Sequence, residues 1–171
     1  QQYRTVGSAQ VIATKELVGR ALKANEFRFE ILDSTGAQVR VTTNQGNGRV
    51  VFGRLMYGNA DTGVEYRYTL REVAATAAGY AYDDTEYTVV VVPVDQGNGT
   101  MSVTVTYLDG NNQEVPSPAF VNRYSADTTA TIAAWVDLTG GSIGDYEFSF
   151  ELLDEEGNVI GRKGGLLSKK I

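Results

Sequence analysis

The 171-residue chain contains no cysteine and no histidine. Without cysteine there is no disulfide, no thiolate nucleophile and no thioester. Without histidine the usual zinc sites are missing, and so are the Ser–His and Cys–His catalytic pairs. Any chemistry must use carboxylates, amines, amides and hydroxyls. There is no cluster of basic residues, and the formal net charge is −6. That balance argues against nucleic acid and against anionic membranes as partners. No apolar run approaches the length of a transmembrane helix. Gln1 and the lack of a signal peptide suggest a mature, trimmed or excised chain.

What is present reads as strand and turn. Turn signals recur at DSTG (33–36), NQGNG (44–48), DQGNG (95–99) and DGNN (109–112). Between them lie alternating runs rich in Val, Thr and Tyr. These predict strands near 10–18, 26–32, 38–43, 49–57, 64–73, 85–94, 100–108 and 118–124. No segment holds a helical period; VAATAAG (73–79) reads as either one helical turn or a loop. The expected fold is all-β, an immunoglobulin-like antiparallel β-sandwich.

The chain also repeats itself. EFRFEILDSTGAQV (26–39) aligns without a gap on EFSFELLDEEGNVI (147–160). Gly36 matches Gly157, Val39 matches Ile160, and upstream Leu17 matches Leu138. The reading is one complete module over 1–124, a linker over 125–130, and the opening strands of a second module over 131–171. A remnant of roughly 45 residues is too short to close a two-sheet core alone.

Three polar residues fall in phase with apolar strand faces. Lys15 follows Val11 and Ala13 and precedes Leu17; Glu72 follows Tyr66, Tyr68 and Leu70; Asn122 lies between Phe120 and Tyr124. Period-two counting turns all three toward a core. An isolated buried amine or carboxylate tends to neutralise. If Lys15 and Glu72 pair, they can exchange a proton, leaving a nucleophilic amine beside the Asn122 carboxamide. Lys15 would attack the carbonyl carbon, Glu72 would polarise the oxygen and shuttle protons, and ammonia would leave. The spacing alone also fits two plainer roles: charges that keep a sheet edge from pairing, or a buried ion pair.

These stretches resemble a known family. Lys15-Glu-Leu-Val-Gly-Arg-Ala-Leu with Glu26-Phe-Arg-Phe-Glu resembles the opening of isopeptide-linked pilin domains of Gram-positive bacteria. Those are the streptococcal-type backbone pilins, related to Cna B-type repeats. Tyr68-Thr-Leu-Arg-Glu72, closed by Gly79-Tyr80, resembles that family's E-box, and Phe120-Val-Asn122-Arg-Tyr124 its last strand. The resemblance implies a Cna B-like sandwich in which Lys15 and Asn122 are bonded and Glu72 is catalytic. It implies a pilus or adhesin stalk at the cell surface, single-turnover chemistry and no cofactor. Neighbouring pilin or stalk modules would be its partners, with a sortase for attachment. Val follows Glu72 where the family usually has Thr or Ser. Val136 occupies the position of Lys15 in the second repeat, so one bond is expected.

Other readings use other residues. Tyr57, Tyr80, Tyr82 and Trp135 could line a ligand surface of an adhesin, or simply pack. Asp83-Asp84-Thr85-Glu86 offers acids for glycoside chemistry or Ca²⁺, or a solvated loop. Lys23, Lys163, Lys169 and Lys170 are candidate attachment lysines for a sortase, or ordinary surface charges.

Overall fold

A computed structural model of the chain describes residues 1–126 and 146–167. The chain divides into two compact units, Gln1–Thr128 and Thr129–Ile171.

The first unit is a sandwich of two main sheets. Its strands are β1 (Gly7–Ala9), β2 (Ile12–Val18), β3 (Arg28–Leu32), β4 (Gln38–Thr43), β5 (Arg49–Val51) and β6 (Leu55–Tyr57). They continue with β7 (Tyr66–Glu72), β8 (Tyr80–Ala81), β9 (Tyr87–Asp95), β10 (Met101–Leu108), β11 (Glu114–Val115) and β12 (Ala119–Tyr124). One sheet has the order β11-β10-β9-β7-β3-β4 and the other β5-β2-β12-β8. Phe29, Ile31, Leu70, Val89 and Val91 of the first sheet are buried with Val11, Ala13, Val50 and Phe120 of the second. Alternation along each strand sends these side chains inward and their polar neighbours outward. Pro93 costs β9 no pairing with β7, because that ladder ends at Tyr66↔Val91 and Pro93 pairs only with β10.

The run over 49–57 is not one strand. It breaks at Phe52, whose N–H donates to Val11 O at 3.1 Å while Gln10 Nε2 donates to Phe52 O at 2.6 Å. Opposite it, the first run breaks between β1 and β2. Both runs therefore turn a corner together: β5 stays on β2, and β6 follows β1 as a separate two-stranded sheet. Beyond the corner Val6 bridges Thr100, beside β10. Such bends let a strand pass from one sheet of a sandwich to the other. Two short strands, β8 and β11, lie where the sequence reads only as loop. Residues 73–79 hold no helix.

In the second unit the described residues form one hairpin, β13 (Tyr146–Leu153) with β14 (Val159–Leu167). It reproduces the β3–β4 hairpin in detail. Asp33 Oδ1 accepts from the N–H groups of Thr35 and Ala37, and Asp154 Oδ1 from those of Glu156 and Asn158. Gly36 and Gly157 share a positive φ, 85° and 87°. The register shifts at Ile31/Leu32 in one hairpin and at the matching Leu152/Leu153 in the other. Trp135 and Val136 lie outside the described residues.

Candidate functional site

The site is built where the first and last long strands of the sandwich lie side by side. β2 and β12 pair in parallel, with Phe120 opposite Lys15 and Asn122 opposite Leu17. Lys15 and Asn122 are thus diagonal neighbours on one inward face. Glu72 ends β7 in the facing sheet, paired with Phe29. All three polar residues are buried: Lys15 is 4% exposed, Glu72 8% and Asn122 0%.

The backbone of Lys15 is held by the NQGNG turn. Its N–H donates to Gly48 O at 2.6 Å. Gly48 has φ +87°, and a Cβ there would stand 2.5 Å from Lys15 O. Only glycine meets both demands. Gly48→Ala is expected to destabilise the unit by more than about 1 kcal/mol, read as a lower midpoint in chemical denaturation. An unchanged midpoint would show that the turn relaxes freely.

The three side chains meet at one carboxylate. Lys15 Nζ lies 2.7 Å from Glu72 Oε1. Asn122 Nδ2 donates to Glu72 Oε1 at 3.1 Å and to Oε2 at 2.9 Å. Both nitrogens therefore share the oxygen Oε1. Asn122 Oδ1 accepts from the Asp83 N–H at 2.7 Å. These partners define the orientation of the amide, because a carboxylate needs donors and a backbone N–H needs an acceptor. Glu72 thus faces the nitrogen of the carboxamide, and Asp83 faces its oxygen. The sequence reading had put Glu72 at the oxygen.

Apolar walls complete the pocket. Lys15 Nζ sits 4.6 Å from the centroid of Phe27 and 5.8 Å from that of Phe29. Phe29 packs on Phe120 with centroids 5.2 Å apart, and Tyr87 meets Phe120 edge-on. Apart from Glu72, the amine has no polar partner among the described residues. An ammonium carries three N–H donors, so this setting serves the neutral amine better. Burial holds the Lys15 amine below the ordinary lysine range, although Glu72 and Asp83 pull it upward.

Asp83 was legible only as one acid in a loop. Its Oδ2 accepts from the Val121 N–H at 2.9 Å. Its Oδ1 accepts from the Thr85 N–H at 3.0 Å and the Thr85 hydroxyl at 2.6 Å. The Asp-x-Thr spacing signals such a turn, as Asp33 and Thr35 show elsewhere in this chain. The spacing does not say what the turn faces. Phe27, which lies just before β3, was the other unread member of the site.

The remaining candidates go elsewhere. Tyr57 is buried, with its hydroxyl 2.9 Å from that of Tyr68. Tyr80 and Tyr82 stack on each other and meet Phe27 edge-on. These three tyrosines belong to the core and its margin. Asp109 of DGNN spends Oδ1 on the N–H groups of Asn111 and Gln113. Among the described residues, no three acidic side chains gather as metal ligands. Lys23 is exposed. The side chain of Lys163 and the whole of Lys169 and Lys170 lie outside the described residues.

Residues 11–125 match the model of a family described as FctA, Spy0128-like isopeptide containing domain. No curated protein sequence matches the chain. Among solved structures, the chain is similar to two major pilins of Streptococcus pyogenes. The T-13 pilin is 17% identical, over 95% of this chain and 74% of that one, with a TM-score of 0.46. The T3.2 pilin is 13% identical, over 95% of this chain and 76% of that one, also with a TM-score of 0.46.

Proposed function

The chain belongs to the FctA family of Spy0128-like isopeptide containing domains, and on that premise we propose that it is a structural module of a Gram-positive surface pilus or adhesin stalk. An isopeptide bond between Lys15 and Asn122, promoted by Glu72, closes its first unit. Neighbouring modules are its partners, and a sortase is the class of enzyme that would attach them.

The carrying observation is the shared oxygen: Glu72 Oε1 touches both Lys15 Nζ and Asn122 Nδ2. Glu72 takes a proton from the Lys15 ammonium, and the neutral amine attacks Asn122 Cγ. The new bond is Nζ–Cγ and the broken one is Cγ–Nδ2. The proton that Glu72 took passes to Nδ2. Glu72 then takes a second proton from Nζ, and that proton leaves with the departing nitrogen as ammonium. Atoms balance without an outside reagent, and Glu72 ends as it began. The fixed neighbourhood of amine and amide replaces a diffusive encounter, which is where most of the acceleration arises. A surface cleft lined by Arg71, Glu72, Val73, Asp83 and Glu86 lies against the Glu72 and Asp83 side of the site.

Intact-mass spectrometry of the full chain tests the reading. The expected mass is short by one ammonia. A tryptic digest should contain a branched peptide joining Lys15 to Asn122, with no cleavage after Lys15. A chain at full mass rejects the proposal.

A further inference from the structure

Transfer of an amide passes through a tetrahedral intermediate, and the carbonyl oxygen gains negative charge on the way. In the low dielectric of a buried site that charge needs a fixed donor. Glu72 is occupied with the two nitrogens. Asn122 is wholly buried, so bulk water does not serve its oxygen. Among the described residues, the donor that reaches Oδ1 is the Asp83 N–H, at 2.7 Å.

We propose that the Asp83 backbone N–H is the oxyanion donor for the cross-linking reaction, and that the Asp83 carboxylate is the positioning group that holds it on target. This inference rests on the cross-linking reading above. The carboxylate clasps the strand that carries the reacting amide. Oδ2 accepts from Val121, the residue before Asn122, while the N–H of the same Asp83 reaches Asn122 Oδ1. Oδ1 folds the following turn through Thr85 N–H and Thr85 Oγ1. Loop and strand are therefore tied at two points around one carbonyl, and Thr85 braces the loop itself.

A negative side chain beside a developing oxyanion needs an account. Burial works to raise the Asp83 carboxyl. The Thr85 hydroxyl and the Val121 and Thr85 N–H groups outweigh burial, with a further pull from Lys15, and the carboxyl stays below the usual range. Its charge is spread over those donors, and its N–H is the group aimed at the carbonyl. The division of labour follows: Glu72 handles protons at nitrogen, and Asp83 handles charge at oxygen.

The test is a time course of ammonia loss. The full chain is made by cell-free translation, quenched in acid at intervals and weighed intact. In one variant Asp83 is replaced by its α-hydroxy acid analogue, malic acid. That exchange turns the amide between residues 82 and 83 into an ester, deleting the N–H and keeping the carboxylate. The ester chain should lose ammonia about 10²–10³-fold more slowly than wild type, the usual loss for one oxyanion donor. Asp83→Ala frees the loop and should also be slow, with part of the rate restored in Asp83→Asn, which can still accept from Thr85. Circular dichroism of each variant confirms that the slow chains are folded. If the folded ester chain keeps pace with wild type, the donor role is overturned while the cross-link stands. A wild-type chain that never loses ammonia overturns the cross-link itself, and the donor role with it.

Discussion

A Glu72→Ala chain is expected to keep its full mass and to melt roughly 10–30 °C below wild type. The bond would close a loop of roughly 100 residues, which on the chain-entropy model gives about 4–5 kcal/mol by restricting the unfolded state. In a domain of this size each kcal/mol shifts the melting temperature by several degrees. Glu72→Ala also leaves a buried amine without its acceptor, a cost beyond the lost bond. Asn122→Ala separates the two effects, since it removes the acceptor carbonyl and keeps the Lys15–Glu72 contact. It too should stay at full mass, and it should melt between wild type and Glu72→Ala. Differential scanning calorimetry paired with intact mass reads both quantities. A Glu72→Ala chain that still loses ammonia would remove Glu72 from the mechanism.

Stretched between its ends, the wild-type first unit should release almost no length between residues 15 and 122. The Glu72→Ala unit should release roughly 100 residues, on the order of 300 Å. The topology explains the contrast. β2 and β12 run parallel and adjacent, so pulling the start of β2 against the end of β12 shears their whole ladder. In the linked form, tension passes from Lys15 to Asn122 through an amide, and the nine strands between them stay slack. Residues ahead of Lys15 remain outside the closed loop, so β1 can still peel from β6. Single-molecule force spectroscopy, with the chain held between reference domains, measures the released length directly. Full-length release from the wild type would mean that the bond is absent or lies off the force path.

The strand phases of the site were open to counting because strand side chains alternate strictly. Val11, Ala13 and Lys15 are all buried, as are Leu70 with Glu72 and Phe120 with Asn122. The hairpin repeat was also readable, since Asp33, Gly36 and their counterparts Asp154 and Gly157 are local turn chemistry. What stayed hidden was non-local. The corner at Phe52 depends on which sheet each half of the run joins, and β8 and β11 are two-residue strands made by their partners rather than by their own pattern. Asp83 announces a turn, but only β12 supplies Val121 and Asn122 to meet it. Family resemblance pointed to Lys15, Glu72 and Asn122. It carried no information about the donor at the amide oxygen.

The position of β12 between β2 and β8 has a consequence for timing. The last strand of the sandwich to leave the ribosome fills an interior slot of its sheet, beside one of the earliest strands. Amine and amide therefore cannot meet until almost the whole unit exists and has docked. Up to that moment the chain is linear and can be threaded through a narrow pore. The proposed bond between Lys15 and Asn122 would make it a closed ring with two tails, and that passage would then be shut to it for good.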